Sequence, residues 1–76
     1  MVRDEFRTIV SQLLGLAIDE VMMQSDFVED FGADSLDLYQ ILLAVEERFD
    51  ITLTAEDVQE IHTVAQAIAV IERYVA

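Results

Sequence analysis

Apolar side chains recur at helical spacing in three long stretches and one short one, with no convincing alternation of a half-buried strand. From Val2 to Leu14, Phe6, Ile9, Val10, Leu13 and Leu14 share one face, and Arg3, Asp4, Arg7 and Gln12 populate the other. Asp4 and Glu5 sit in the first turn, where free amides favour negative charge, and Gly15 is a stop signal. A second helix is expected over Ser35 to Phe49. Leu38, Leu42, Val45 and Phe49 form its core stripe, Ile41 widens it, and Asp34 caps it with Asp37 three residues on. Thr54 and Asp57 announce a short helix over Ala55 to Glu60, and Thr63 and Gln66 a last one over Val64 to Val75. Val64, Ala67, Ile68, Ile71 and Val75 face inward on that last helix.

The connection Leu16 to Asp34 is nineteen residues long, more than a loop usually spans, and it is not polar enough to be free. Leu16, Ile18, Val21, Phe27, Val28 and Phe31 all call for cover, which predicts a pinned loop with short turns, one of them at Phe27 to Phe31. Met22 and Met23 read as one core filler and one surface neighbour. Ile51 and Leu53 turn inward from the second connector. The elements add up to one all-α domain over residues 1–76, a small bundle whose core is shared because no single helix hides its own apolar face.

Composition narrows the function classes. There is no Cys, no Pro and one His, which rules out a disulfide staple, a Cys-based zinc site and a histidine cluster. At 54% hydrophobic residues the chain is too apolar for a disordered acidic segment. Its longest apolar stretch, Leu13 to Ile18, falls far short of a membrane span, and nothing near Met1 resembles a leader peptide. A soluble, cytoplasmic monomer is expected. The net charge of −12 is concentrated between Asp19 and Glu60, where thirteen acids face the single base Arg48. Such a stretch repels nucleic acid and anionic lipid and attracts basic protein surfaces, although acids also simply keep a small protein soluble. Within it, Leu36, Tyr39 and Leu43 are more apolar than a solvated helix face requires. Each alone reads as core under another helix rotation; together with Asp37, Gln40 and Glu47 they suggest an apolar docking strip with a charged rim.

Ser35 is the candidate for chemistry. Gly32 and Ala33 leave its approach open, and a phosphodiester on it would meet unpaired amides at a helix start. Spacing alone favours an ordinary first-turn serine behind an ordinary cap. Hydrolysis fits less well. No base lies beside Ser35, the G-x-S-x-G elbow is absent, and His62 reads as a surface or capping side chain. Adjacent acids such as Glu46 with Glu47, or Glu56 with Asp57, point in different directions from one helix. Asp26 to Asp37 also fails as an EF-hand. Val28 takes a ligand position, Phe31 stands where Gly is needed, and Asp37 replaces the closing Glu. Neither an enzyme nor a metal site is expected.

The run Asp26-Phe27-Val28-Glu29-Asp30-Phe31-Gly32-Ala33-Asp34-Ser35-Leu36-Asp37 closely resembles the signature of acyl carrier proteins of dissociated (type II) fatty acid synthases. Leu14-Gly15-Leu16, Glu46-Glu47-Arg48-Phe49 and Ile61-His62-Thr63-Val64 resemble the family's helix boundaries, so the likeness extends through most of the chain. The resemblance implies a four-helix bundle with a short third helix and a long first loop, able to shelter an acyl chain. It implies a covalent 4'-phosphopantetheine on Ser35, received from coenzyme A through a carrier protein synthase (a phosphopantetheinyl transferase) acting with magnesium. The arm's thiol would hold growing acyl chains as thioesters, and Asp34 would support the modification. Leu36, Asp37, Tyr39, Gln40, Leu43, Glu46, Glu47 and Glu56 would meet partner enzymes: ketoacyl synthase, ketoacyl reductase, dehydratase, enoyl reductase and acyltransferases.

Two positions depart from that pattern. Gln40 stands where fatty acid carriers usually have Glu, and Tyr39 where they have a small aliphatic residue. Both lie on the face partners should read, which leaves open a dedicated carrier of a polyketide or other specialised acyl pathway. A structural or regulatory helical domain with Ser35 unmodified is the reading from a different class.

Overall fold

A computed structural model describes residues 1–75. Four α-helices, α1 (Val2–Leu14), α2 (Ser35–Phe49), α3 (Ala55–Gln59) and α4 (Val64–Val75), are joined without any strand among the described residues. One turn of 3-10 helix, Ile18–Glu20, interrupts the long first connection. Helix α1 packs against both α2 and α4. Its apolar stripe places Phe6 and Val10 at the centre of the molecule, beside Ile41 and Val45 of α2 and Val64, Ala67, Ile68 and Ile71 of α4. Val70 is also buried.

The stripe on α2 is rotated from the expected one. Ile41 and Val45 are the fully buried pair, whereas Leu38 and Phe49 pack along the edge and Leu42 is half-buried. The rotation follows from neighbours: α2 packs against α1 within the shared core, which centres its buried arc on Ile41 and Val45. Leu13 and Val75, both expected inward, are exposed in the last turns of their helices.

The first connection supplies core residues of its own. Val21 and Phe27 are as buried as any helical side chain, and the Phe27 ring stands edge-on to Phe6 at 6.1 Å and to Phe31 at 6.0 Å. Ile18 and Val28, by contrast, point to solvent, because a tight turn cannot direct successive side chains to one side. Met23 packs on the core while Met22 is exposed, as the division of labour between them predicts. Backbone hydrogen bonds fasten this connection to the start of α4. Phe27 N–H donates to the His62 carbonyl at 3.0 Å, Val64 N–H to Ser25 at 3.0 Å and Ala65 N–H to Met23 at 2.9 Å, around an isolated bridge between Asp26 and Thr63. Amides of α4 with no acceptor inside their own helix are thus met by loop carbonyls.

Candidate functional site

The approach to Ser35 is a sequence of backbone closures. Asp26 Oδ1 accepts from the amides of Val28 and Glu29, both at 2.9 Å, and opens the turn at Phe27 to Phe31. Gly32 ends it with a φ of 65°, the left-handed conformation that costs a β-carbon strain. Its amide donates to the Val28 carbonyl at 3.0 Å, the single bond of an αL closure, and the Ala33 amide reaches back to the Phe27 carbonyl at 2.9 Å. Gly32 therefore terminates a turn as well as leaving the approach to Ser35 open. Ala33 is buried, and the chain then turns outward at Asp34 in extended conformation.

Asp34 and Asp37 cap α2 reciprocally. Asp34 Oδ1 accepts from the Asp37 amide at 2.9 Å and Asp37 Oδ2 from the Asp34 amide at 3.2 Å. Ser35 is the first residue of α2 and is exposed. The amides of Ser35 and Leu36 precede the first intrahelical bond, Leu38 N–H to the Asp34 carbonyl, so they remain available to an anion beside the serine oxygen. An oxygen nucleophile open to solvent, next to free amides, fits a phosphodiester.

Leu36, Tyr39 and Leu43 expose 63%, 59% and 41% of their surfaces, so the apolar strip is real and unshared with the core. Gln40, Glu47 and Glu56 are exposed as well. Glu46 is half-buried, and its carboxylate accepts from the Leu53 amide at 2.8 Å, which gives it a role in holding the α2–α3 connector. Asp37 likewise spends one oxygen on the cap. Among the acids proposed from sequence, the structure thus separates free ones, Glu47 and Glu56, from Asp34, Asp37 and Glu46, which are already engaged.

Two supporting residues escaped the sequence pattern. Arg7, placed by spacing on the solvent side of α1, donates from Nε to the Val21 carbonyl at 2.7 Å and from Nη2 to Ile18 at 2.8 Å. Ser25 is buried, and its hydroxyl accepts from the Met22 amide at 3.2 Å. None of these three bonds follows from helical periodicity, which says nothing of how loop backbone is met. Away from Ser35, Tyr74 O–H donates to Asp57, while Arg73 reaches Glu60 at 3.1 Å and Asp57 at 3.5 Å, tying α3 to the end of α4. The Tyr74 hydrogen bond, aided by the Thr54 amide, holds the Asp57 carboxyl below its ordinary value of 3.8. The same bond raises the Tyr74 phenol above its ordinary 10.0. His62 is exposed and takes part through its backbone. No cluster of acids and histidines suited to a metal occurs among the described residues, and no helix is long and apolar enough to cross a membrane.

The profile of the family described as "Phosphopantetheine attachment site" matches residues 4–71, nearly the whole bundle. The chain is 44% identical over 69 residues to the acyl carrier protein of Sulfurovum sp. (strain NBC37-1), covering 91% of this chain and 92% of the relative. It is 38% identical to the acyl carrier protein of Akkermansia muciniphila, covering 95% and 90%, and 34% identical to that of Clostridium acetobutylicum, covering 97% and 96%. The chain belongs to the acyl carrier protein family. As a member it is a carrier and not a catalyst, and the group it carries is 4'-phosphopantetheine. That group supplies the thiol a chain without Cys lacks.

Proposed function

We propose that Ser35 is the attachment residue and that the chain ferries growing acyl groups between the enzymes of fatty acid synthesis. The observation that carries the assignment is the exposed serine at the first position of a doubly capped α2, inside the matched region. Loading requires the Ser35 oxygen to attack the phosphorus of coenzyme A that bears the pantetheine. The new Oγ–P bond forms as the pyrophosphate link breaks, the adenosine bisphosphate half leaves, and the serine proton passes to a base of the transferase. No base is needed from the carrier, whose single His62 is exposed and engaged through its backbone. The reciprocal cap holds the first turn of backbone that carries Ser35, and the charge of Asp34 offers the transferase and its magnesium a landmark beside it.

Delivery would use the surface around the arm. Leu36, Tyr39 and Leu43 give partners a small apolar contact, and Gln40, Glu47, Glu56 and the outer oxygens of Asp37 and Glu46 frame it. Ketoacyl synthase, ketoacyl reductase, dehydratase, enoyl reductase and acyltransferases would each meet it with basic side chains. Charge steering hastens encounter while a small interface keeps residence short, as a monomeric shuttle requires. The exposed Tyr39 ring in the middle of the strip favours one second reading, a carrier dedicated to another acyl pathway.

Intact mass after incubation with coenzyme A, magnesium and a broad-range phosphopantetheinyl transferase tests the attachment. The parent should gain one phosphopantetheine and Ser35→Ala none; a folded parent that gains nothing overturns the assignment. The mass of the acyl group on protein isolated from its host then separates the two pathways.

A further inference from the structure

We infer that the Tyr39 ring forms an apolar seat for the gem-dimethyl end of the phosphopantetheine arm, so that the root of the arm lies along α2. The inference rests on the attachment at Ser35 proposed above, and deepens it by naming a contact of the arm on this chain. Tyr39 follows Ser35 by one turn, which sets it about 6 Å further along the helix and about 40° around it. Long side chains on a helix lean back toward the N-terminal turn, because the remaining χ1 rotamer drives them into the preceding turn. The Tyr39 ring therefore covers the surface beside Ser35. Leu36, about 100° around, and Leu43, two turns on, leave that spot to it.

The ring is also free to be used. Phe6 and Phe27 are buried, Phe31 and Phe49 pack against the core, and the Tyr74 hydroxyl is held by Asp57. Tyr39 alone among the aromatics neither enters the core nor holds another element, and it is 59% exposed. The root of the arm is confined from the other side. The cap at Asp34 and Asp37 fixes the first turn, and the amides of Ser35 and Leu36 draw the phosphate toward the helix start. Beyond the phosphodiester, the first apolar group of the arm is its pair of geminal methyls. They are the part that gains by leaving water, and the ring is the exposed apolar surface one turn along the helix on nearly the same face. Two methyls on one exposed ring make a small contribution. The seat biases the direction in which the arm sets out and leaves the thiol end free to reach a partner.

Proton NMR of the loaded carrier tests this. Ring current from Tyr39 should move the geminal methyl resonances upfield of their positions in free pantetheine, with Overhauser contacts from the methyls to the ring protons. Tyr39→Leu should return them to the free positions, while Tyr39→Phe and Tyr74→Phe should leave them displaced. Methyls at the free positions in the parent, or a displacement that survives Tyr39→Leu, overturn the seat while leaving the attachment standing. Absence of the mass gain overturns the attachment and the seat together.

Discussion

At the scale of single residues, the site turns on a division between charge and hydrogen bonding at Asp34. Its carboxylate caps α2 through the Asp37 amide, so Asp34→Ala should destabilise the fold by about 1 kcal/mol, read as a lower urea midpoint. Asn caps nearly as well as Asp. Asp34→Asn should therefore unfold at the parent's midpoint yet load phosphopantetheine more slowly, because only the charge has gone. Equal loading rates would reduce Asp34 to a structural cap. This cap was legible in the sequence, since an acid before a helix and a second three residues later form a pattern with a mechanism. Arg7 was not. Its partners are the Ile18 and Val21 carbonyls, and a side chain that leaves its helix to bind loop backbone has no periodicity to betray it. Gly32 lay between these cases: a glycine before the helix signals a turn, but the bonds that close it depend on the Val28 and Phe27 carbonyls, which only the folded turn aligns.

At the scale of elements, the helices came through with their boundaries where caps and stops mark their ends, and α3 stops at Gln59, one residue short of the expected Glu60, which caps it. Gly15, in left-handed conformation at φ 68°, follows α1, and Thr54 and Asp57 open α3. Which way α2 faces was less legible. Its apolar positions spread around most of the helix, and packing against α1 within the shared core selected Ile41 and Val45 over Leu42. The shortest helix, α3, is fastened to α4 by Asp57, Glu60, Arg73 and Tyr74. The folded pKa of Asp57 is depressed, so its stabilising contribution is present above the ordinary 3.8 and lost as pH falls through the folded value. Tyr74 is raised, so its contribution is present below 10.0 and lost as pH rises through its folded value. Tyr74→Phe should thus lower Tm at neutral pH, with a gap from the parent that narrows below pH 3.8. A gap that stays constant into acid would remove Asp57 as the partner that matters.

At the scale of the whole molecule, charge was the most legible property and the loop the least. A net charge of −12 on 76 residues repels itself in the compact state more than in the open chain, so added salt or magnesium should raise Tm. Melting that is indifferent to ionic strength and to magnesium would show that the surface acids are too widely spread to matter. The loop's apolar residues announced that it was pinned, but not that Phe27 would be a central core residue or that its backbone would be fastened to α4. That fastening has a consequence during biosynthesis. The carbonyls of Met23 and Ser25 and the amide of Phe27 have their partners at residues 62 to 65, near the other end of the chain. A nascent chain that has only just emerged past Ser35 presents the serine but not its footing. The footing of the segment that leads to Ser35 is therefore complete only once the ribosome has delivered the start of α4.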